Sequence, residues 1–153
     1  MLKKYLFAFV AAMILNMTAY AAPECGDLLS MMEQKPEALE FVSCLKTRDE
    51  DGLPILNALY RVSGQKADEV EACFVKEANM PVLTYQAGAW KIGDENRPYG
   101  EIKHHLWAGK DQFADEFIII MQTEPAKHIP QSDKTQWRSI DWFYVQVLHY
   151  LEG

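Results

Sequence analysis

The side chains that could do chemistry in this sequence are two adjacent imidazoles, a pair of spaced aspartates, one helical glutamate and three thiols. His104 and His105 are the first to weigh. The run His104–Trp107 reads as a short strand, and neighbours on a strand point to opposite faces, so the pair cannot readily share one metal ion. His104 could join Asp111 or Asp115 on a metal only if the loop folded back. Surface histidines in an irregular segment are the simpler reading. Glu71 lies about 50° from the centre of the apolar stripe on its helix. A carboxyl buried there could titrate high and serve as acid or base. At the stripe's edge it would instead keep its carboxylate in water.

The remaining constellations are weaker. Asp49-x-Asp51-Gly52 lacks the further oxygen ligands and the closing glutamate of a calcium loop, and reads as a solvated hairpin turn. Ser63-Gly64 follows Val62 without the glycine two residues earlier that a nucleophile elbow needs. Trp107, with Tyr99 and Trp90, could form a binding surface. Glu71, His104, His105 and Trp107 are therefore candidate pocket residues. No catalytic residue, metal ligand or cofactor site is assigned.

The chain opens with Lys3 and Lys4, continues as an apolar run from Tyr5 to Met17, and reaches the small residues Ala19 and Ala21. That order reads as a secretory signal over residues 1–21, too short to span a bilayer comfortably. Residues 22–153 then form one domain, of ordinary single-domain size, acting in the periplasm or outside the cell. Losing Lys3 and Lys4 takes the formal charge from −7 to −9. So acidic a domain repels nucleic acid and anionic lipid, which leaves a protein partner open and nucleic acid excluded. No membrane-spanning segment is expected after cleavage.

Cys25, Cys44 and Cys73 meet an oxidising compartment in this reading, and three cysteines allow three single pairings. Cys25 with Cys44 is favoured, because a helix, Pro36 and a strand between them can fold back. Closing that 19-residue loop stabilises by about 3 kcal/mol. Cys73, at the margin of its helix stripe, would be a free, partly buried thiol.

The elements that must position these groups follow from periodicity. Helical spacing covers Cys25–Gln34 and Lys66–Ala78, and Asp133-x-x-Gln136 starts a brief third helix. Strands are expected at Glu40–Lys46, Ile55–Val62, Val82–Ile92 (with Gly88 as a bulge), Phe117–Met121 and Trp142–Leu151. In the first strand, Phe41, Ser43 and Leu45 share one side. Phe117–Met121, apolar on both faces, reads as the most central strand. The whole is α+β: a mostly antiparallel sheet of five to six strands with two or three helices on one face.

Two blocks resemble a known family. One is Cys25-Gly26-Asp27-Leu28-Leu29, with Lys35-Pro36, Leu39-Glu40-Phe41 and Cys44. The other is Tyr60-Arg61-Val62-Ser63-Gly64, with Ala67 and Val70-Glu71. They are similar to small exported bacterial proteins, common in Acinetobacter, grouped as domain of unknown function 4952. The resemblance implies that Cys25 and Cys44 belong to the shared pattern, and it implies no activity. Where some members carry cysteines before a glycine and a tryptophan, this chain has Gln86-Ala87 and instead Cys73.

The functional expectation is a non-enzymatic binding or inhibitor protein, of the immunity type. The alternatives are a small hydrolase of cell-wall or peptide material using Glu71, His104 and His105, and an envelope structural or stress protein. Thiol titration of the unreduced, denatured mature protein is expected to find one free thiol; three would refute the disulfide.

Overall fold

Asp27 opens the first helix. Its Oδ1 accepts from Ser30 N at 3.1 Å, capping α1 (Leu28–Met31). The computed structural model describes residues 22–125 and 133–151. The expected signal, residues 1–21, and most of the expected loop at 124–131 lie outside them. Leu28, Leu29 and Met32 are buried, so α1 spends one short turn on fastening the N-terminal segment to the core.

β1 (Glu40–Arg48) and β2 (Pro54–Ser63) pair antiparallel across a turn in which Asp49 Oδ1 accepts from Asp51 N and Leu53 N. That is the solvated turn read from Asp49-x-Asp51. The register shifts between Phe41 and Ser43, with Val42 as the extra residue. An inserted residue reverses the alternation. Phe41 and Cys44 therefore face the core opposite Tyr60 and Ala58, while Ser43 and Leu45 face the other way. This corrects the expected shared face of Phe41, Ser43 and Leu45. Cys44 thereby meets Cys25 in a disulfide with Cα atoms 5.6 Å apart.

α2 (Ala67–Glu77) buries Ala67, Val70 and Phe74, part of the stripe that the periodicity marks, and Glu71 beside them. The chain must turn sharply to reach it. Gly64 N donates to Ile140 O at 3.0 Å, and a Cβ at Gly64 would collide with the carbonyls of Trp137 and Ile140. Only glycine allows that approach.

The stretch expected as one long strand is a hairpin, β3 (Leu83–Gln86) with β4 (Ala89–Ile92). Ala87 and Gly88 both take positive φ, 48° and 87°, so two residues reverse the chain where a bulge was expected. β5 is Gly100–His104, so the strand expected at His104–Trp107 lies earlier and His105 begins a loop. β6 (Asp115–Thr123), a 3-10 helix (Lys134–Ser139) capped by Asp133, and β7 (Trp142–Tyr150) complete the chain.

The result is α+β: one seven-stranded antiparallel sheet in the order β1-β2-β7-β6-β4-β3, with β5 beside β6. The seven exceed the expected five to six because of the extra hairpin. Phe117 and Met121 of β6, Val145 and Val147 of β7, and Tyr60 and Val62 of β2 face the helices and are fully or almost fully buried. Each large apolar side chain so covered contributes roughly 1.5–3 kcal/mol. No helix among the described residues is long and apolar enough to cross a membrane.

Asp27 also accepts from Ser30 Oγ at 2.9 Å, Lys35 Nζ at 2.6 Å and Tyr60 OH at 2.9 Å. Burial raises its pKa, but these bonds outweigh burial and hold the carboxyl below the ordinary aspartate range. A depressed folded pKa means the stabilisation is complete above the unfolded value of about 4 and is lost as pH falls through the folded value. Asp27→Asn is expected to cost about 1–3 kcal/mol at pH 7 and to flatten the acid limb of the stability profile. Urea unfolding between pH 2 and 7 checks this, and an unchanged acid limb would sink it.

Candidate functional site

Glu71 is 6% exposed, so its carboxylate is not in water as the stripe-edge reading had it. Burying a carboxylate is tolerable only with partners for both oxygens. Here Oε2 accepts from Leu83 N at 2.8 Å, and Oε1 pairs with Lys134 Nζ. Lys134 also lies 4.8 Å above the Trp137 ring. Glu71 thus joins α2 to β3 and to the 3-10 helix, and both of its oxygens are engaged.

The histidines lie at the opposite end of the sheet. Leu83 is level with Met121 of β6, whereas His104 pairs with Asp115. Six residues of strand separate the two levels, roughly 20 Å. His104 is half-buried on the core side, and its Nδ1 has no hydrogen-bond partner among the described residues. His105 is exposed, with Nδ1 3.2 Å from Gly109 O. Trp107 folds back over the sheet end, its ring 5.7 Å from Phe117 and 5.0 Å from His149. Asp115 Oδ2 fixes it by accepting from Trp107 N at 2.8 Å and Ala108 N at 3.0 Å.

His149 is the group that the sequence reading missed. Its ring stacks on Phe117 at 5.0 Å. Nδ1 lies 3.0 Å from the Glu116 carbonyl oxygen, which can only accept, so Nδ1 donates this bond. Alternation along β7 could have found it, because Phe143, Val145, Val147 and His149 share one face. The structure therefore gathers Trp107 with Phe117 and His149 and places His104 at the same end of the sheet. It leaves Glu71 elsewhere, and among the described residues no nucleophile joins this group. No cluster of three or more metal-ligating side chains exists among the described residues.

Cys73 is the free thiol, half-buried on α2. Burial, with Glu77 nearby, pushes its pKa up, which makes it a poor nucleophile.

Among the described residues two surface grooves stand out. One, of about 340 Å³, runs beside Asn79, Arg97, Tyr99, Glu101 and Lys103. Its charges are largely engaged: Arg97 Nη2 donates to Asn79 O at 2.7 Å, and Lys103 lies 3.9 Å from Glu101 and 3.7 Å from Glu116. The other, of about 330 Å³, lies on the sheet face away from the helices, beside Leu59, Gln122, Tyr144 and Gln146. Around it that face carries Ile118, Ile120 and Leu148, half-buried, and Leu45, 64% exposed. At its margin Arg61 makes two bonds to Glu40, at 3.1 and 3.2 Å, and covers the Trp142 ring at 4.1 Å. This open face is the candidate functional surface.

Residues 16–90 match the family described as a domain of unknown function, DUF4952. No curated protein and no solved structure matches the chain. The matched stretch holds α1, β1, β2, α2 and the β3–β4 turn, and it ends before β5, β6 and β7.

Glu71→Ala would leave the Leu83 amide and Lys134 without their carboxylate, and is expected to cost about 1–3 kcal/mol. Glu71→Gln, which can still accept from Leu83 N, should recover part of that. Chemical denaturation checks both, and a loss below about 0.5 kcal/mol for the alanine variant would refute the tie.

Proposed function

We propose that this chain, with its DUF4952 segment at residues 16–90, is a non-enzymatic binding protein of the inhibitor or immunity type, and that its partner docks on the open face of the sheet. One observation carries the reading. β6 is apolar on both sides, with Phe117, Ile119 and Met121 toward the helices and Ile118 and Ile120 away from them. A strand with one solvated face ordinarily alternates apolar with polar residues. Here Leu59, Leu148, Ile118 and Ile120, at outward positions of three neighbouring strands, are apolar as well, while the described helices pack on the other face. These apolar positions, interspersed with Asn57, Gln122 and Gln146 on the same face, support reading it as an interaction site.

Action in the periplasm or outside the cell belongs to this proposal. Support comes from the disulfide, which persists in oxidising compartments, and from the likeness to exported bacterial proteins. The acidic balance of the chain favours a basic or neutral protein partner over nucleic acid. Hydrolysis has little support, because Glu71 is committed to structure and lies far from His104 and His105.

The test compares the wild-type protein with a Leu45→Glu, Gln146→Arg double variant as bait for envelope extract of the producing cells. Both positions are on the open face and outside the core, so the variant should melt with the wild type. The expected result is a discrete bound protein whose retention falls about tenfold or more in the variant, which is roughly 1.4 kcal/mol. Equal retention overturns the docking face. No bound protein at all favours an envelope structural role instead.

A further inference from the structure

A second surface feature lies apart from the open face, in the loop between β5 and β6. Phe113 is 99% exposed, more than any other large apolar residue described. Single apolar residues at a surface are ordinary and usually lie part-covered by neighbours. A phenyl ring standing wholly in water is unusual, and a slack loop could fold it away. This loop is held on several sides. Trp107 anchors its start against Phe117 and His149. Asp115, at its end, accepts from the amides of Trp107 and Ala108. Between them Gln112 N donates to Gly109 O at 3.0 Å, Gly109 N donates to Gln112 Oε1 at 3.3 Å, and His105 Nδ1 lies 3.2 Å from Gly109 O. The turn that precedes Phe113 is thus closed by its own hydrogen bonds.

From this we infer that the loop 105–114 is a recognition loop, and that Phe113 is its anchor for an apolar pocket on a partner protein. A preformed loop presents a large side chain without a further ordering cost, which is how a single aromatic comes to dominate an interface. The formal charge of the chain is −7, which disfavours an anionic bilayer as the surface that receives the ring. Lys110 and Asp111, exposed on the same turn, place one charge of each sign beside the ring, and a protein rim can match both. The loop also lies outside the family-matched residues 16–90, where a feature that sets partner choice can vary without disturbing the shared part.

The test replaces Phe113, and separately the exposed control Gln65, with a photoreactive phenylalanine in the full chain, and illuminates the producing cells. The expected result is a discrete protein adduct at 113 that is absent at 65, with the cross-link mapping to apolar residues of the partner. Added wild-type protein should compete the adduct away, and Phe113→Ser should need about tenfold more protein or worse to do so. The Leu45→Glu, Gln146→Arg variant reports on the open face separately: if it competes as well as wild type, the loop acts without that face. No adduct, the same adduct from both positions, an adduct to lipid, or an adduct to a second copy of this chain would each overturn the inference. Matched melting curves for wild type and Phe113→Ser show that the fold is not at issue.

Discussion

The Asp27 carboxylate accepts from Ser30, Lys35 and Tyr60, and the Tyr60 hydroxyl in turn accepts from the amide of Leu29. This small network decides where the N-terminal segment lies. Tyr60 is fully buried on β2, with its ring packed edge-on to Phe41 at 5.5 Å. A buried phenol needs a polar partner. Asp27 and Leu29 provide it, which pulls α1 onto the sheet. Burial, and the negative charge to which it donates, push the Tyr60 phenol well above its usual range, so it stays a donor. The Cys25–Cys44 bond fastens the same segment to β1 from the other side. The two blocks quoted for the family resemblance supply both partners of each tie, Asp27 with Tyr60 and Cys25 with Cys44. What those blocks share is a way of holding the α1 segment against the sheet.

Much of the architecture could be read from periodicity. α2, β1, β2, β6 and β7 lie within two residues of their expected bounds, because each combines a sustained pattern with flanking turn residues. The misreadings have local causes. Val42 adds one residue to β1, and no alternation rule reveals an insertion that is itself apolar. Ala87 takes a left-handed conformation that alanine rarely adopts, so Ala87-Gly88 did not read as a hairpin turn. The strand near His104 was placed late because His104-His105-Leu106-Trp107 looks no less extended than Gly100–His104.

The candidate residues fared differently from the elements. Proximity of Trp107 to His149 depends on a loop folding back across forty residues of sequence, which pairwise spacing cannot show. Glu71 was recognised as unusual, yet its role depends on Lys134, sixty-three residues away. The open face is different again, since the apolar outward positions of β6 are visible in the Phe-Ile-Ile-Ile-Met run itself. What the sequence could not show was that the described helices pack on one side of that run.

The order of the strands bears on how the chain can come to be folded. β7 is the last of the seven to be synthesised, and it lies between β2 and β6. Until it emerges, the earlier part holds two fragments of sheet with raw inner edges and no strand pairing between them. The β2–β7 pairing therefore closes a long loop, which makes for slow folding of high contact order. A sheet that cannot close until β7 arrives stays open along its middle for as long as the preceding strands are being made.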